Sequence, residues 1–366
     1  MTKIFISAGD LSGEQHAARL MAELRRIVPD VEFHGLGGRA MQREGLRPIV
    51  PLEEISVVGF WEVMKKYSYF RKLLNQCKDM LAGGEFDAFI PVDYPGFNIP
   101  LAGHARSKCI PTIYFIAPQL WAWGRHRTRK LTGCVDRLLI VFPFEEDYFR
   151  KFNIPAEYIG HPILDDPDFD DVDYSIEGRP KRIALLPGSR RQEIERHSPL
   201  FAELIELLQK ELPGYKFGVA ASSLLPESLY EPLLGAGDCE LFTNSRELMK
   251  QSRAGVVKTG TSTLEAALCG MPFTMIYRTS PLTFRFGKYL VNLDHLSLVN
   301  ILSKREIVRE FVQSDATAAN IAAEISRLVE DKSAANRMSD EFRSIRSLLG
   351  GKGASRRAAE IIADYL

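Results

Sequence analysis

Short apolar, β-branched runs alternate with longer helical patterns along the 366 residues of this chain, and the alternation starts afresh half-way. The first half carries "KIFIS" (3–7), "FDAFIPV" (86–92), "PTIYFIA" (111–117) and "RLLIVF" (137–142). The second carries "RIALLPG" (182–188), "YKFGVAA" (215–221), "GVVKTG" (255–260) and "FTMIYR" (273–278). Apolar runs alternating with helical patterns read as strands buried on both faces, which means parallel sheets. The expected fold is α/β: two Rossmann-like domains facing an interdomain cleft, beyond the carboxyl ends of the strands, where open parallel sheets bind ligands.

Between the halves lies "DDPDFDDVDYSIEGRP" (165–180), aspartate-rich, with two prolines and little apolar periodicity. It reads as the link between a first domain over 1–165 and a second over 166–349. A helix-rich tail follows over 304–366, and the turn "GGKG" (350–353) cuts off a last helix, about 350–366, that can pack back on the first domain.

Composition narrows the function classes. Basic and acidic residues balance at 47 each, so no whole-molecule field points to a nucleic-acid partner, and any anion site must be local. Five cysteines lie scattered without a C-x-x-C pair, the pattern of a reducing compartment with thiols buried as small hydrophobes. The opening "MTKIFISAGD" has no charged leader or cleavage site and reads as a first strand. No segment approaches the ~20 apolar residues of a membrane span. The expectation is a cytoplasmic protein, able to touch a membrane from outside; a homo-oligomer stays open.

Three strand–turn–helix mouths share one local chemistry. "FISAGDLSGEQHAA", "ALLPGSRRQEI" and "VVKTGTSTLEAAL" each run a strand into glycine and then a capping box: Ser12-Gly13-Glu14-Gln15, Ser189-Arg190-Arg191-Gln192 and Ser262-Thr263-Leu264-Glu265. Well-capped helices need no ligand. Yet Gly188 and Gly260 allow a close approach to the backbone, and Arg190 and Arg191 stand where the helix dipole already favours anions. A diphosphate there would explain them. No G-x-G-x-x-G with a following acid and no G-x-x-x-x-G-K-[ST] occurs, which sets aside dinucleotide and P-loop sites and leaves nucleotide-sugar chemistry.

"FIPVDYPGFN" places Asp93 just past a buried strand, where a carboxylate could take the proton of an attacking hydroxyl or simply open the turn before Pro95. Asp10 is the second acid at that edge, equally able to be a cap. "APQLWAWGRHRTRK" (117–130) sets Trp121 and Trp123 before Arg125, either packing a loop or forming an amphipathic rim. In "SVVGFWEVMKKYSYFRKLLNQCK" (56–78), Phe60, Val63, Tyr67, Phe70, Leu74 and Cys77 make one helical stripe. Trp61, Met64, Tyr69 and Leu73 add apolar bulk off it, and Lys65 and Lys66 add charge, which suits a core helix with a basic face or a helix at a lipid surface.

Together "SAGDLSGE" (7–14), "GLGGRAMQREG" (35–45), "VDYPGFN" (92–98), "WAW" (121–123), "GHP" (160–162), "LLPGSR" (185–190), "GTSTLEAAL" (260–268) and "SLVNIL" (297–302) resemble, in order, the lipid-A-disaccharide synthase family of GT-B glycosyltransferases. The resemblance runs from the first strand to about residue 315. It implies inverting transfer of 2,3-diacylglucosamine from UDP to the 6-hydroxyl of 2,3-diacylglucosamine 1-phosphate, giving the β-1,6-linked tetraacyl disaccharide 1-phosphate of lipid A biosynthesis. By the same resemblance Asp93, with Asp10 as the other candidate, is catalytic. Gly188, Ser189, Arg190, Gly260, Thr261, Ser262, Thr263, Glu265 and Asn300 face the UDP-sugar. Ser12, Gly13, Val57, Val58, Phe60, Trp61, Met64, Lys65, Lys66, Trp121, Trp123 and Arg125 lie on the acceptor, lipid or membrane side. Neither metal nor cofactor is implied, and the place implied is the cytoplasmic face of the inner membrane, in peripheral contact with anionic lipid. Two rivals share the residues: a UDP-sugar 2-epimerase of the same fold, and a non-catalytic nucleotide-sugar or lipid-binding protein.

Overall fold

The computed structural model describes residues 1–55, 67–223, 225–280, 284–285 and 293–366; the side chains of Glu53, Trp123, Arg125 and His126 lie outside that description. The chain forms two compact units, Met1–Pro167 joined by Leu349–Leu366, and Asp168–Leu348.

The first unit is built on strands β1 (Thr2–Ala8), β2 (Val31–Leu36), β3 (Leu46–Pro48), β4 (Ala88–Val92), β5 (Ile113–Phe115), β6 (Arg137–Ile140) and β7 (Ala156–Tyr158). They form one sheet in the order β3-β2-β1-β4-β5-β6-β7, every neighbouring pair parallel. Side chains of β1 alternate between two cores, as a strand's two-residue period requires. Ile4, Ile6 and Ala8 pack with the Leu11–Ile27 helix, while Phe5 faces Leu73, Cys77 and Leu81 of the Tyr67–Gly83 helix on the other side. The expected 56–78 helix is therefore described only from Tyr67. Leu73, expected off its stripe, is core, and Tyr69 packs beside it and hydrogen-bonds Glu54 at 2.6 Å.

The Ala354–Ala363 helix completes this unit, with Ala358, Ala359 and Ile362 in the same core as Ala17, Leu20, Met21 and Leu24. Its start is fixed by Asp165, whose carboxylate accepts the N–H groups of Gly353, Ala354 and Ser355 at 2.6, 3.2 and 2.7 Å. An acid at a helix N-terminus satisfies donors that no helical carbonyl can reach.

The second unit repeats the plan with β8 (Arg182–Leu186), β9 (Lys216–Ala220), β10 (Cys239–Phe242), β11 (Ala254–Lys258), β12 (Phe273–Tyr277) and β13 (Glu310–Val312), ordered β10-β9-β8-β11-β12-β13 and parallel throughout. β13 falls inside the tail expected to be helical. From Asp168 on, the acidic stretch is packed into this unit: Phe169, Tyr174 and Ile176 are buried, and Arg179 donates to the carbonyls of Asp173, Ser175, Ser252 and Cys269.

In each sheet the connections run outward both ways from one central pair, β1/β4 and β8/β11. Such a reversal opens a crevice at the carboxyl ends of the pair. The residues that follow β1, β4, β8 and β11 are Gly9-Asp10, Asp93-Tyr94, Pro187-Gly188-Ser189-Arg190 and Thr259-Gly260.

Candidate active site

At the first switch point the backbone itself is unusual. Asp93 and Tyr94 have φ of +41° and +50°, two successive non-glycine residues in the left-handed region. Such strain persists only where neighbours over-determine it. Here the Asp93 N–H reaches the carbonyls of Phe115 and Ile116, both at 3.3 Å, while its own carbonyl accepts Asn98 Nδ2 at 2.9 Å and the Tyr114 hydroxyl at 2.5 Å. Asn98, fully buried, also ties β1 to β4: it takes the Ser7 hydroxyl at 2.7 Å and donates to the Ser7 carbonyl at 3.1 Å. The Tyr94 ring lies so close to Gly9 that a Cβ there would fall 2.3 Å from it.

Burial, the negative charge of Asp10, and more weakly that of Glu145, push the Asp93 carboxyl up to about 7, against a hydrogen bond from the Tyr94 backbone. Asp10 is a helix cap: its Oδ1 accepts the Gly13 N–H at 2.7 Å. Ser12 is half-buried in the helix's first turn, and Gly13 is buried with its N–H already used. Glu145 is 0% exposed and accepts Trp121 Nε1 at 2.9 Å and the N–H groups of Val141 and Phe142 at 3.2 and 3.1 Å. Burial nonetheless pushes its carboxyl up to about 7. Trp121 is thus an interior residue, 6% exposed, and not part of a rim. Exposed Arg127, Arg129 and Lys130 follow in the Arg125–Leu131 helix. Val57, Val58, Phe60, Trp61, Met64, Lys65 and Lys66, and the side chains of Trp123 and Arg125, lie outside the described residues.

At the second switch point Gly188 has φ +133° and Gly260 φ +136°, conformations that favour glycine. Arg190 is the backbone N-cap of the Arg191–Glu211 helix, and its Nη1 donates to Glu193 Oε1 at 3.0 Å. Ser189 gives its N–H to Glu193 Oε2 at 3.1 Å. Gly260 precedes the Thr261–Leu268 helix; Thr261 and Ser262 are half-buried, and buried Thr263 turns its hydroxyl back to the Gly260 carbonyl at 2.8 Å. Glu265 Oε1 accepts Arg246 Nε and Nη2 at 3.1 and 2.9 Å, and Arg246 also lies over the Phe169 ring.

The expected helix caps are not those observed. None of the three capping boxes forms: the helices begin at Leu11, Arg191 and Thr261, capped by Asp10, Arg190 and Gly260, because the chain turns helical one or two residues away from each serine's expected place. Asn300, expected to face the UDP-sugar, is turned into the second unit. It is 0% exposed, its Nδ2 donates to Val308 O and Glu310 Oε1, both at 2.8 Å, and its Oδ1 accepts Ile307 N and Val308 N at 2.8 and 2.9 Å. An amide has two donors and two lone pairs, so nothing remains for a substrate. Conversely, Glu193, Lys258, Glu145 and Asn98 went unread; an acid three residues past the helix cap and another just past a strand were the available signals. Among the described residues no group of His, Cys, Asp and Glu is arranged to hold a metal ion, and no helix is long and apolar enough to cross a membrane.

The sequence matches the family described as Lipid-A-disaccharide synthetase over residues 4–364. The chain belongs to that family. It is 34% identical over 373 residues to the lipid-A-disaccharide synthase of Geobacter metallireducens, covering 100% of this chain and 97% of that one. In three dimensions it is similar to the UDP-GlcNAc 2-epimerase from Neisseria meningitidis (TM-score 0.68, 13% identity, 99% and 100% of the two chains). It is also similar to the glycotransferase of kitacinnamycin (TM-score 0.65, 16% identity, 100% and 99%). Likeness at such identity shows the fold alone, and that fold is GT-B. This member of the lipid-A-disaccharide synthase family is a glycosyltransferase of lipid A biosynthesis, and its family joins a sugar nucleotide to an acceptor lipid.

Proposed function

We propose that the chain transfers 2,3-diacylglucosamine from UDP to 2,3-diacylglucosamine 1-phosphate, with Asp93 as the general base. The acceptor's 6-hydroxyl oxygen bonds to the donor's anomeric carbon from the face opposite UDP, while that carbon's bond to the diphosphate oxygen breaks. Asp93 takes the hydroxyl proton, and UDP leaves with the bonding electrons. What supports this most is Asp93 itself: a carboxyl raised to about 7 at the switch point of the first sheet is matched to proton transfer near neutral pH.

The first unit then serves the acceptor and the second the donor. Arg190 and the first-turn N–H groups at Thr261 and Ser262 would meet the charge that develops on the diphosphate. Glu265, its Oε1 held by Arg246, would offer Oε2 to the ribose hydroxyls. The acyl chains would follow the segment around Phe60 and Trp61, placing the enzyme peripherally on the cytoplasmic face of the inner membrane. Replacing both aromatics with Ser should reduce sedimentation with anionic liposomes; unchanged sedimentation would remove that contact.

The deciding experiment follows UDP release from UDP-2,3-diacylglucosamine with and without the acceptor, while the lipid is weighed by mass spectrometry. Acceptor-dependent release matched by a tetraacyl disaccharide is expected. Turnover of UDP-N-acetylglucosamine alone would favour the epimerase instead, and donor binding without release would favour a binding protein. Within the assay, Arg190→Ala should chiefly weaken donor binding.

A further inference from the structure

A second cation stands beside Arg190. Lys258 ends β11, the strand paired with β8 at the switch point, and its Nζ is 2.8 Å from Glu193 Oε1, the oxygen that also takes Arg190. Glu193 is thus an internal anion resting on the groups a diphosphate would use: a loop N–H, an arginine and the mouth of a helix. The loop leaves it no slack, since a Cβ on Gly188 would fall 2.5 Å from Oε2 and 2.7 Å from Cβ of Glu193. His197, 1% exposed, supports the same loop by donating Nδ1–H to the Pro187 carbonyl at 2.6 Å. Burial works against ionising Glu193, but the charges and hydrogen bonds of Lys258 and Arg190 hold its carboxyl below the usual range.

We propose that Lys258 is a positioning residue that releases Arg190 to the donor's diphosphate. It keeps Glu193 neutralised while Arg190 exchanges the carboxylate for a phosphate oxygen. This deepens the donor-site reading above and rests on it. Without Lys258, the exchange would strand a largely buried carboxylate beside an incoming anion, an arrangement in which desolvation and like charge both oppose binding. With Lys258, one charge-assisted hydrogen bond replaces another and no ion is left unpaired. A lysine acting this way works through Glu193 and not on the phosphate.

A double-mutant cycle separates those two cases. UDP is titrated calorimetrically into the wild type, Lys258→Met, Lys258→Arg, Glu193→Gln and the Lys258→Met/Glu193→Gln pair, with thermal unfolding of each recorded. Lys258→Met should weaken UDP binding roughly tenfold, Lys258→Arg should restore most of it, and the double variant should bind within about twofold of Glu193→Gln. A full tenfold loss that persists in the Glu193→Gln background would mean that Lys258 touches the phosphate itself, and the inference fails. Unchanged affinity in Lys258→Met would make the ion pair structural only, which also overturns it. If Lys258→Met does not fold, Lys258→Gln, which keeps a donor but no charge, carries the same comparison. A wild-type protein that binds no UDP would remove the donor-site reading itself, a result distinct from a cycle that fails in a protein that binds.

Discussion

The indole N–H of Trp121 lies 2.9 Å from Oε1 of Glu145, and both residues are buried. The contact joins the segment after β5 to the end of β6, where the N–H groups of Val141 and Phe142 hold the other carboxylate oxygen. It turns a tryptophan that could have met lipid into part of the support behind the candidate base.

Glu145 should therefore leave a signature in stability against pH. Burial raises its folded carboxyl to about 7 from the ordinary 4.5, so the folded state binds the proton more tightly than the unfolded chain. That contribution is whole below about 4.5 and is lost as pH rises to about 7, on the order of 3 kcal/mol at most. Asp93, also raised to about 7, contributes a fall in the same window, so chemical denaturation of the wild type should show the sum and Glu145→Gln should lessen it without abolishing it. Trp121→Phe, which leaves a buried carboxylate short of one donor, should destabilise by about 1–3 kcal/mol. Identical pH slopes for wild type and Glu145→Gln would refute the assignment.

Asp10 offers a test of the base that leaves the fold intact. Asparagine caps a helix as well as aspartate does, so Asp10→Asn should keep the thermal midpoint while removing a charge that raises the Asp93 carboxyl. A base must be ionised to act, so kcat/KM should rise with pH through about 7 in the wild type and through a lower pH in Asp10→Asn. Asp93→Asn should lower kcat with UDP binding intact. An acidic limb that stays in place in Asp10→Asn would argue against Asp93 as the titrating group.

Gly9 has no room for a methyl group. Gly9→Ala would press a carbon into the Tyr94 ring and displace the residue that follows Asp93 in the left-handed region. Overpacking of this kind destabilises by about 1–3 kcal/mol. The expected result is a lower thermal midpoint together with reduced kcat and near-normal UDP affinity, since the residues proposed for the donor belong to the other unit. Full activity would show that the Tyr94 ring position does not govern Asp93.

Asn300 separates scaffold from ligand. Asn300→Ala should destabilise the second unit by several kcal/mol, because it leaves the N–H groups of Ile307 and Val308 and the Val308 carbonyl without their partner (about 1–3 kcal/mol per buried group), while Glu310 keeps the N–H groups of Leu296 and Ser297. UDP affinity measured below the transition should stay close to wild type. A selective loss of affinity with an unchanged midpoint would return Asn300 to the ligand.

The strands read from apolar runs are β1, β4, β5, β6, β8, β9, β11 and β12, buried segments whose hydrophobicity is continuous. β2 escaped because Glu32 and His34 interrupt it, and the two meet each other at 3.5 Å on the strand's polar side. β3, β7, β10 and β13 are short, and β7 and β10 bury little, so their sequences carry no pattern to find. Placing Asp93 and Arg190 at strand ends needed only local spacing. Their partners did not come from local spacing: Lys258, at the end of β11, reaches Glu193 in the helix that follows the neighbouring β8, and Glu145 acts on Asp93 from beyond β6. The three serines misled because Asp10 and two glycine turns had already fixed where each helix starts.

The helix that Asp165 caps carries a consequence for biosynthesis. Residues 349–366 belong to the first unit's core, yet the ribosome reaches them only after the whole of the second unit has been made. The domain that is translated first is therefore finished last. Until then it exposes the apolar groove meant for Ala358, Ala359 and Ile362, while the second unit is free to fold as soon as it emerges. A chain broken off just before residue 349 would keep the second unit whole and lose the integrity of the one that holds Asp93.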